Sequence, residues 1–385
     1  MNMDNVVSYF SGGPAKIPNE VLEQVSRDVL QYGNTGVGVL EISHRSPAFL
    51  AILDNAITTI KELLDVPPNY RVAFFTGGGN GQFSAVPLNL MNRTGKADYI
   101  VTGTWSKSAA IEAAKYGTVQ HVLPEGSTFM GVPDVSTWKL DPDAAYLYYC
   151  DNETIQGVEF ATRPVPPEGV PLVCDMSSNI CSRPVDISKF GLIFAGAQKN
   201  IGCAGVTLVI IREDLLDAPR SPHCPVILDY AVITNKNSNY NTPPVYAIHV
   251  LGETVSWVKR QGGIEEMKNR SDAKSKLLYS TIDSSQGFYV NEVKTENRSR
   301  MNVVFTVGAG EDRNKDLEAK FVEEAGKENL KALKGHRDVG GMRASIFNAV
   351  GIEHVRKLVV FMDKFRNENS ENESSETRKL VDINK

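Results

Sequence analysis

Hydrophobic positions in the first 260 residues fall into short runs separated by polar, glycine-rich turns. The runs RVAFFT (71–76), YIVTG (99–103), AYLYYC (145–150), VPLVC (170–174), LIFA (192–195) and VTLVII (206–211) are apolar and short. Such runs predict buried strands rather than helices. Helical patterns lie between them, for example the alanine-rich SKSAAIEAAKYG that follows Trp105. This alternation predicts an α/β fold with a mostly parallel sheet covered by helices, in which ligands bind beyond the carboxyl ends of the strands. Asn80, Trp105, Thr154, Asp175 and Lys199 all follow expected strand ends and should gather at one rim. After Arg260 the pattern shifts to helices and amphipathic strands such as Asn302–Val307, which predicts a smaller α+β domain. The expected division is a large domain over 16–260 and a small one over 261–366 with 1–15. The polar stretch 367–385, poor in aromatics, is expected to be a disordered tail.

Composition narrows the function. A chain of 385 residues can bury a large core, and its formal net charge of −5 gives no electrostatic footing for nucleic acid or an anionic membrane. No apolar run is long enough to span a bilayer, and the start lacks a basic region followed by an apolar stretch. A cytoplasmic protein is expected. The five cysteines include no C-x-x-C pair, so neither a disulfide framework nor a metal site is signalled.

Lys199 stands between two apolar runs, on a loop that also holds Gly196, Gly202 and Gly205. Desolvating an ammonium is costly and depresses its pKa, so the position reads either as a lysine that forms an imine or as a buried structural lysine. The glycine-rich GGGNGQ (77–82) lacks the third glycine of a dinucleotide fingerprint, Gln82 standing in its place, and GTWSKS (103–108) lacks P-loop spacing. A glycine-rich turn between strand and helix can still hold a phosphate on free backbone N–H groups. A lysine, an acid at a strand end, an aromatic, a hydroxyl and an anion site together are what pyridoxal phosphate asks of a protein.

EISHRSPAF, GGGNGQFSAVPLNL, GTWSKSAAIEA, FAGAQKNIGCAGVTLVIIRE and GHRDVGGMRASIFNAV, in this order, resemble the phosphoserine aminotransferases, a class V family of fold type I. The resemblance runs from about Phe10 to Phe365. It implies a homodimer that uses pyridoxal phosphate to exchange an amino group between glutamate and 3-phosphohydroxypyruvate in serine synthesis, and in some organisms it also implies a role in pyridoxine synthesis. By the same resemblance Lys199 bonds to the cofactor, Asp175 pairs with its ring nitrogen, Trp105 stacks on the ring and Thr154 lies beside it. Gly79, Asn80 and Gln198 match phosphate positions, while Asn241 and Thr242 match a pair that reaches the cofactor phosphate of the other subunit. His44, Arg45, His336, Arg337 and Arg343 match positions that hold the substrate's anionic ends. A lyase or desulfurase of the same fold type is the other reading, although a desulfurase needs a reactive cysteine on a mobile loop.

Overall fold

The computed structural model describes the backbone of residues 6–383 and the side chains of residues 6–370. Its centre is a seven-stranded sheet in the spatial order Tyr70–Phe75, Thr207–Arg212, Leu192–Gly196, Leu172–Asp175, Leu147–Cys150, Lys96–Ile100 and Thr118–His121. Every pairing from Leu192–Gly196 to Thr118–His121 is parallel, while Thr207–Arg212 is antiparallel to both of its neighbours. Six strands therefore share one direction. The expected runs appear as strands within a few residues of their predicted limits, and Thr118–His121 is an additional edge strand whose polar sequence hides it.

Both faces of the sheet are covered, which is why its strands read as continuous apolar runs. Alternate residues supply separate layers. Phe75, Tyr99, Tyr148, Val173, Phe194 and Val209 pack on the side of helices Gly78–Leu90 and Thr104–Ala113. Phe74, Ile100, Tyr149, Cys174, Ile193 and Leu208 pack on the opposite side with helices Pro47–Leu63 and Val245–Arg260.

A second, antiparallel sheet joins Tyr289–Val290, Asn302–Val307 and Met342–Ser345. Its core draws on helices Gly263–Asp283, Lys315–Lys327 and Ile352–Ile383, and on Phe10 from the start of the chain. The strand Ser8–Tyr9 pairs in parallel with Leu330–Lys331, which ties the first residues to this layer. The closing helix changes one expectation. Its backbone stays helical to Ile383, and Asn369 is buried, accepting a hydrogen bond from Lys320 Nζ at 2.8 Å. The segment expected to be disordered from 367 therefore begins as packed helix, because Asn369 hydrogen-bonds back to Phe365 O and Phe365 sits in the core. The side chains beyond 370, and residues 384–385, lie outside the described residues.

A buried lysine holds the small layer together. Lys274 is 1% exposed, and its Nζ donates to the carbonyl oxygens of Ile346, Phe347 and Val350 at 2.8, 2.9 and 2.8 Å. Those carbonyls lie between the Arg343 strand and the last helix, so the lysine fixes the path by which the chain leaves the strand. Lys274→Met should lower the unfolding free energy by about 2–3 kcal/mol, since it strips donors from buried carbonyls. Denaturant unfolding at fixed protein concentration measures this, and a change below about 0.5 kcal/mol would show that the three bonds contribute little.

Candidate active site

The shared strand direction brings five loop starts to one rim, where they enclose a cavity of about 390 Å³. Gly77, Gly79 and Asn80 line it, as do Trp105, Cys150, Asn152, Thr154, Asp175, Gln198, Lys199, His336 and Arg343. At Gly77 the backbone has φ +94°, a left-handed conformation that only glycine adopts freely, and this turn starts helix Gly78–Leu90 with no side-chain cap. The first N–H groups of that helix are thus left open to an anion.

Lys199 projects from the loop between two antiparallel neighbours, closed at its base by Ala197 N–H donating to Val206 O at 3.1 Å. Its Nζ donates to Thr154 Oγ1 at 2.7 Å and lies 5.8 Å from the Trp105 ring centroid. Although the side chain is reachable from the cavity, the protein around it pushes the amine below its ordinary value. Desolvation is the main cause, opposed by the charge of Asp175 and reinforced by that of Arg343. The neutral amine is the nucleophilic form.

Asp175 ends its strand and is buried, with Oδ1 accepting from Ser177 N at 2.8 Å. Burial pushes its carboxyl up, against the hydrogen bond from Ser177 and the charge of Lys199. A cationic partner in the cavity would restore the ionised form. Arg343, on the second sheet, reaches across to the same space, where its Nη1 lies 3.5 Å from Thr154 O while its buried Nε has no partner among the described residues. Trp105 Nε1 is likewise buried without a partner.

Several residues that bear on the cavity carried no clear signal in the sequence. A Cβ placed on Gly12 would overlap the Arg343 guanidinium, and one on Gly13 would touch Lys199 Cγ at 3.5 Å. The amino-terminal SGGP stretch is therefore a wall of the site, and its paired glycines were the available sign. Asn152 also lines the cavity, donating to Ser178 Oγ at 2.7 Å and Asn302 Oδ1 at 2.8 Å and accepting from Ser299 Oγ at 2.5 Å. A further bond from Asn302 Nδ2 to Ser345 Oγ, at 2.9 Å, carries this buried chain to the strand that bears Arg343.

Four expected residues stand apart from the cavity of their own chain. His44, Arg45, Asn241 and Thr242 do not line it, and Arg45, Asn241 and Thr242 are exposed. The two stretches that carry them are joined instead, since Asn239 Nδ2 donates to His44 O at 2.9 Å. Arg337 is next to the lining residue His336, but it does not line the cavity and its side chain is 91% exposed, with Nε 3.6 Å from Asp338 Oδ1. No cluster of three or more metal-ligating side chains occurs among the described residues.

The residues present fit pyridoxal phosphate. An amine, a buried carboxylate facing it, an indole with a free N–H and an uncapped helix start share one enclosure. Comparison with known proteins agrees. Residues 7–358 match the model of the class-V aminotransferases. The chain belongs to that family. A curated relative from Drosophila melanogaster, named phosphoserine aminotransferase, is 50% identical over 94% of this chain and 100% of its own length. One of the same name from Laribacter hongkongensis is 50% identical over 92% of this chain and 97% of its own. The solved structure titled as a PLP-bound phosphoserine aminotransferase from Trichomonas vaginalis superposes with a TM-score of 0.89 at 42% identity, covering 93% of this chain and all of that one. Another phosphoserine aminotransferase structure, from Bacillus circulans subsp. alkalophilus, gives 0.89 at 39% identity, covering 94% and 99%.

The cost of keeping a lysine in this class-V site is measurable in the cofactor-free chain. Lys199→Met should raise stability there by about 0.5–2 kcal/mol, as relief of a strained functional site commonly does. The folded chain holds the Lys199 proton less tightly than the unfolded one, so wild-type stability climbs with pH as far as the ordinary lysine value of 10.5. The advantage of the methionine variant should shrink over the same window. Thermal unfolding across pH tests both signs, and a variant less stable than wild type at neutral pH would refute them.

Proposed function

We propose that the chain is a phosphoserine aminotransferase that uses pyridoxal phosphate to move an amino group between L-glutamate and 3-phosphohydroxypyruvate. The products are O-phospho-L-serine and 2-oxoglutarate, as required for serine synthesis. The observation that carries this reading is the meeting of Lys199, Asp175, Trp105 and Arg343 in one cavity. It is supported by relatives of that name that match almost end to end.

When bound, pyridoxal phosphate supplies an aldehyde that takes up amines and an electron-poor ring that stabilises negative charge at the substrate's Cα. The chain's own residues do the rest. Gly79 and Asn80, at the uncapped helix start, with Gln198 beside them, hold the phosphate. Asp175 would keep a proton on the ring nitrogen, and Trp105 would cover the ring. Lys199, its amine held toward the neutral form, is the nucleophile, and once free its Nζ moves the proton at the substrate's Cα as a positioned base. Arg343 takes the carboxylate beside the reacting carbon through a bidentate pair. His336 and Arg337 belong with the distal anionic end.

The same reading accounts for the four residues outside the cavity. In a homodimer, His44, Arg45, Asn241 and Thr242 serve the partner's site, which the exposure of Arg45, Asn241 and Thr242 and the bond from Asn239 to His44 O support. A desulfurase draws no support, because the cavity cysteine, Cys150, is buried and its thiol is pushed well up by desolvation. Five free cysteines agree with a reducing, cytoplasmic setting. The domain division at 16–260 and at 261–366 with 1–15 is supported by an apolar cluster that contains Phe10 and otherwise only residues from Leu278 onward.

Single-turnover half-reactions decide the chemistry. Glutamate and 3-phosphohydroxypyruvate should each complete half a cycle, Lys199→Ala should abolish both, and Asp175→Asn should slow both by more than about tenfold, roughly 1.4 kcal/mol of barrier. Near-normal rates with Lys199→Ala would defeat the reading. Heterodimers of Lys199→Ala and Arg45→Ala chains decide the shared site. If Arg45 acts on the partner's cavity, one of the two sites regains every residue, and activity should return to about half that of wild type. No recovery would place Arg45 in its own chain's site, and a fully active Arg45→Ala homodimer would place it outside the chemistry.

A further inference from the structure

The turn that follows the strand Leu147–Cys150 holds a buried carboxylate, Glu153, for which the proposed chemistry has no task. Its Oε2 accepts from Trp105 N at 3.0 Å, and its Oε1 accepts from Ser106 N at 2.9 Å and Ser106 Oγ at 2.5 Å. These donors are the start of helix Thr104–Ala113, so the carboxylate satisfies N–H groups that a helix cannot pair internally. Gln156, three residues on, completes the grip: its Oε1 accepts from Thr104 N at 3.1 Å and its Nε2 donates to Thr104 Oγ1 at 2.7 Å.

A separate observation shows how closely the parts fit. A Cβ on Gly103 would lie 2.5 Å from Glu153 Cδ and 2.6 Å from Gln156 Oε1, so the backbone before the helix has room only for glycine. Glu153 is fully enclosed, and burial pushes its carboxyl up against the pull of the Ser106 and Trp105 donors. Burying an acid without a charged partner is costly, and the position at a helix N-terminus offsets part of that cost. Its neighbour Thr154 faces Lys199 Nζ at 2.7 Å. One two-residue step in the chain therefore touches the indole's backbone on one side and the lysine's amine on the other.

We propose that Glu153 is a positioning residue that fixes Trp105 against Lys199, by holding the start of helix Thr104–Ala113 to the turn that carries Thr154. It acts through Trp105 and touches neither substrate nor cofactor. Of the two helices that begin at this rim, only Gly78–Leu90 has its first N–H groups free of a side chain, because Glu153 occupies the other. The inference rests on the proposed function for its consequence, the holding of pyridoxal phosphate, but not for the grip itself.

The test uses the full chain with Glu153→Gln, which keeps the shape but turns an amide N–H toward Trp105 N, and Glu153→Ala, which removes both acceptors. Amide hydrogen exchange should quicken at least tenfold at Trp105 in either variant, and at Ser106 also in Glu153→Ala. The dissociation constant of pyridoxal phosphate, read from quenching of tryptophan fluorescence, should rise at least tenfold, while KM for glutamate stays within about threefold. Lys274→Met, at a residue that does not line the cavity, serves as the control for general loss of stability. Unchanged exchange at Trp105, or an equal rise in the dissociation constant with Lys274→Met at matched melting temperature, would overturn the proposal. If the wild-type chain took up no pyridoxal phosphate while the Glu153 variants still freed the Trp105 amide, the function would be rejected and the grip upheld.

Discussion

Six strands of the central sheet point the same way, and the chemistry can only be assembled where they end. In a parallel sheet each strand hands its chain to a loop on one shared edge, so residues far apart in sequence become neighbours without any long-range design of their own. Gly77, Trp105, Thr154, Asp175 and Lys199 come from five different loops and meet for that reason. The exception in direction has a local use. Thr207–Arg212 runs back beside Leu192–Gly196, so the lysine loop is a short return between adjacent strands, pinned at its base, rather than a long crossover. A rigid base is what a nucleophile needs if its amine is to stay within hydrogen-bond reach of Thr154.

Charge at this edge is arranged with few direct ion pairs. Lys199, Asp175, Glu153 and Arg343 all bear on the cavity region, yet none of them makes a salt bridge to another. Each is held by neutral partners: a threonine hydroxyl, a serine N–H, a helix start, a carbonyl. Direct pairing would neutralise the groups and use up their hydrogen-bonding capacity. Left as they are, the lysine stays easy to deprotonate and the aspartate ready to take a cationic partner, at a cost in stability that the surrounding core must offset.

Much of this was legible in the sequence, for a physical reason. Strands buried on both faces must be apolar throughout, so LIFA and VTLVII stand out, and a lysine between them is conspicuous because burial makes it expensive. Polar residues that follow strand ends were placed at one rim by topology alone. What stayed hidden depends on contacts with no local pattern. Glu153 looks like any turn acid until the start of a helix some fifty residues earlier is laid against it. Gly12 and Gly13 look like a flexible terminus until Arg343 and Lys199 come up against them from distant parts of the chain. The packed start of the tail beyond Arg366 stayed hidden because composition alone cannot show that Asn369 bonds back to Phe365 O and accepts from Lys320.

The reach of Arg343 raises the question of how two sheets with separate cores hold a shared site to the accuracy that binding requires. Direct contact between the guanidinium and the rim is a single long hydrogen bond at 3.5 Å, too weak to set a position. The stronger tie is the buried chain Ser178, Asn152, Asn302 and Ser345, which runs from the cavity wall to the second sheet, with Ser299 closing a branch at 2.5 Å. All five residues are buried, and Asn302 and Ser345 face each other as register partners in the second sheet. A fully paired polar network of this kind is intolerant of displacement, because any shift leaves buried donors or acceptors unmet. Arg343 itself can then remain incompletely bonded, with Nε free, and still be held in place, which leaves its donors available to an incoming carboxylate.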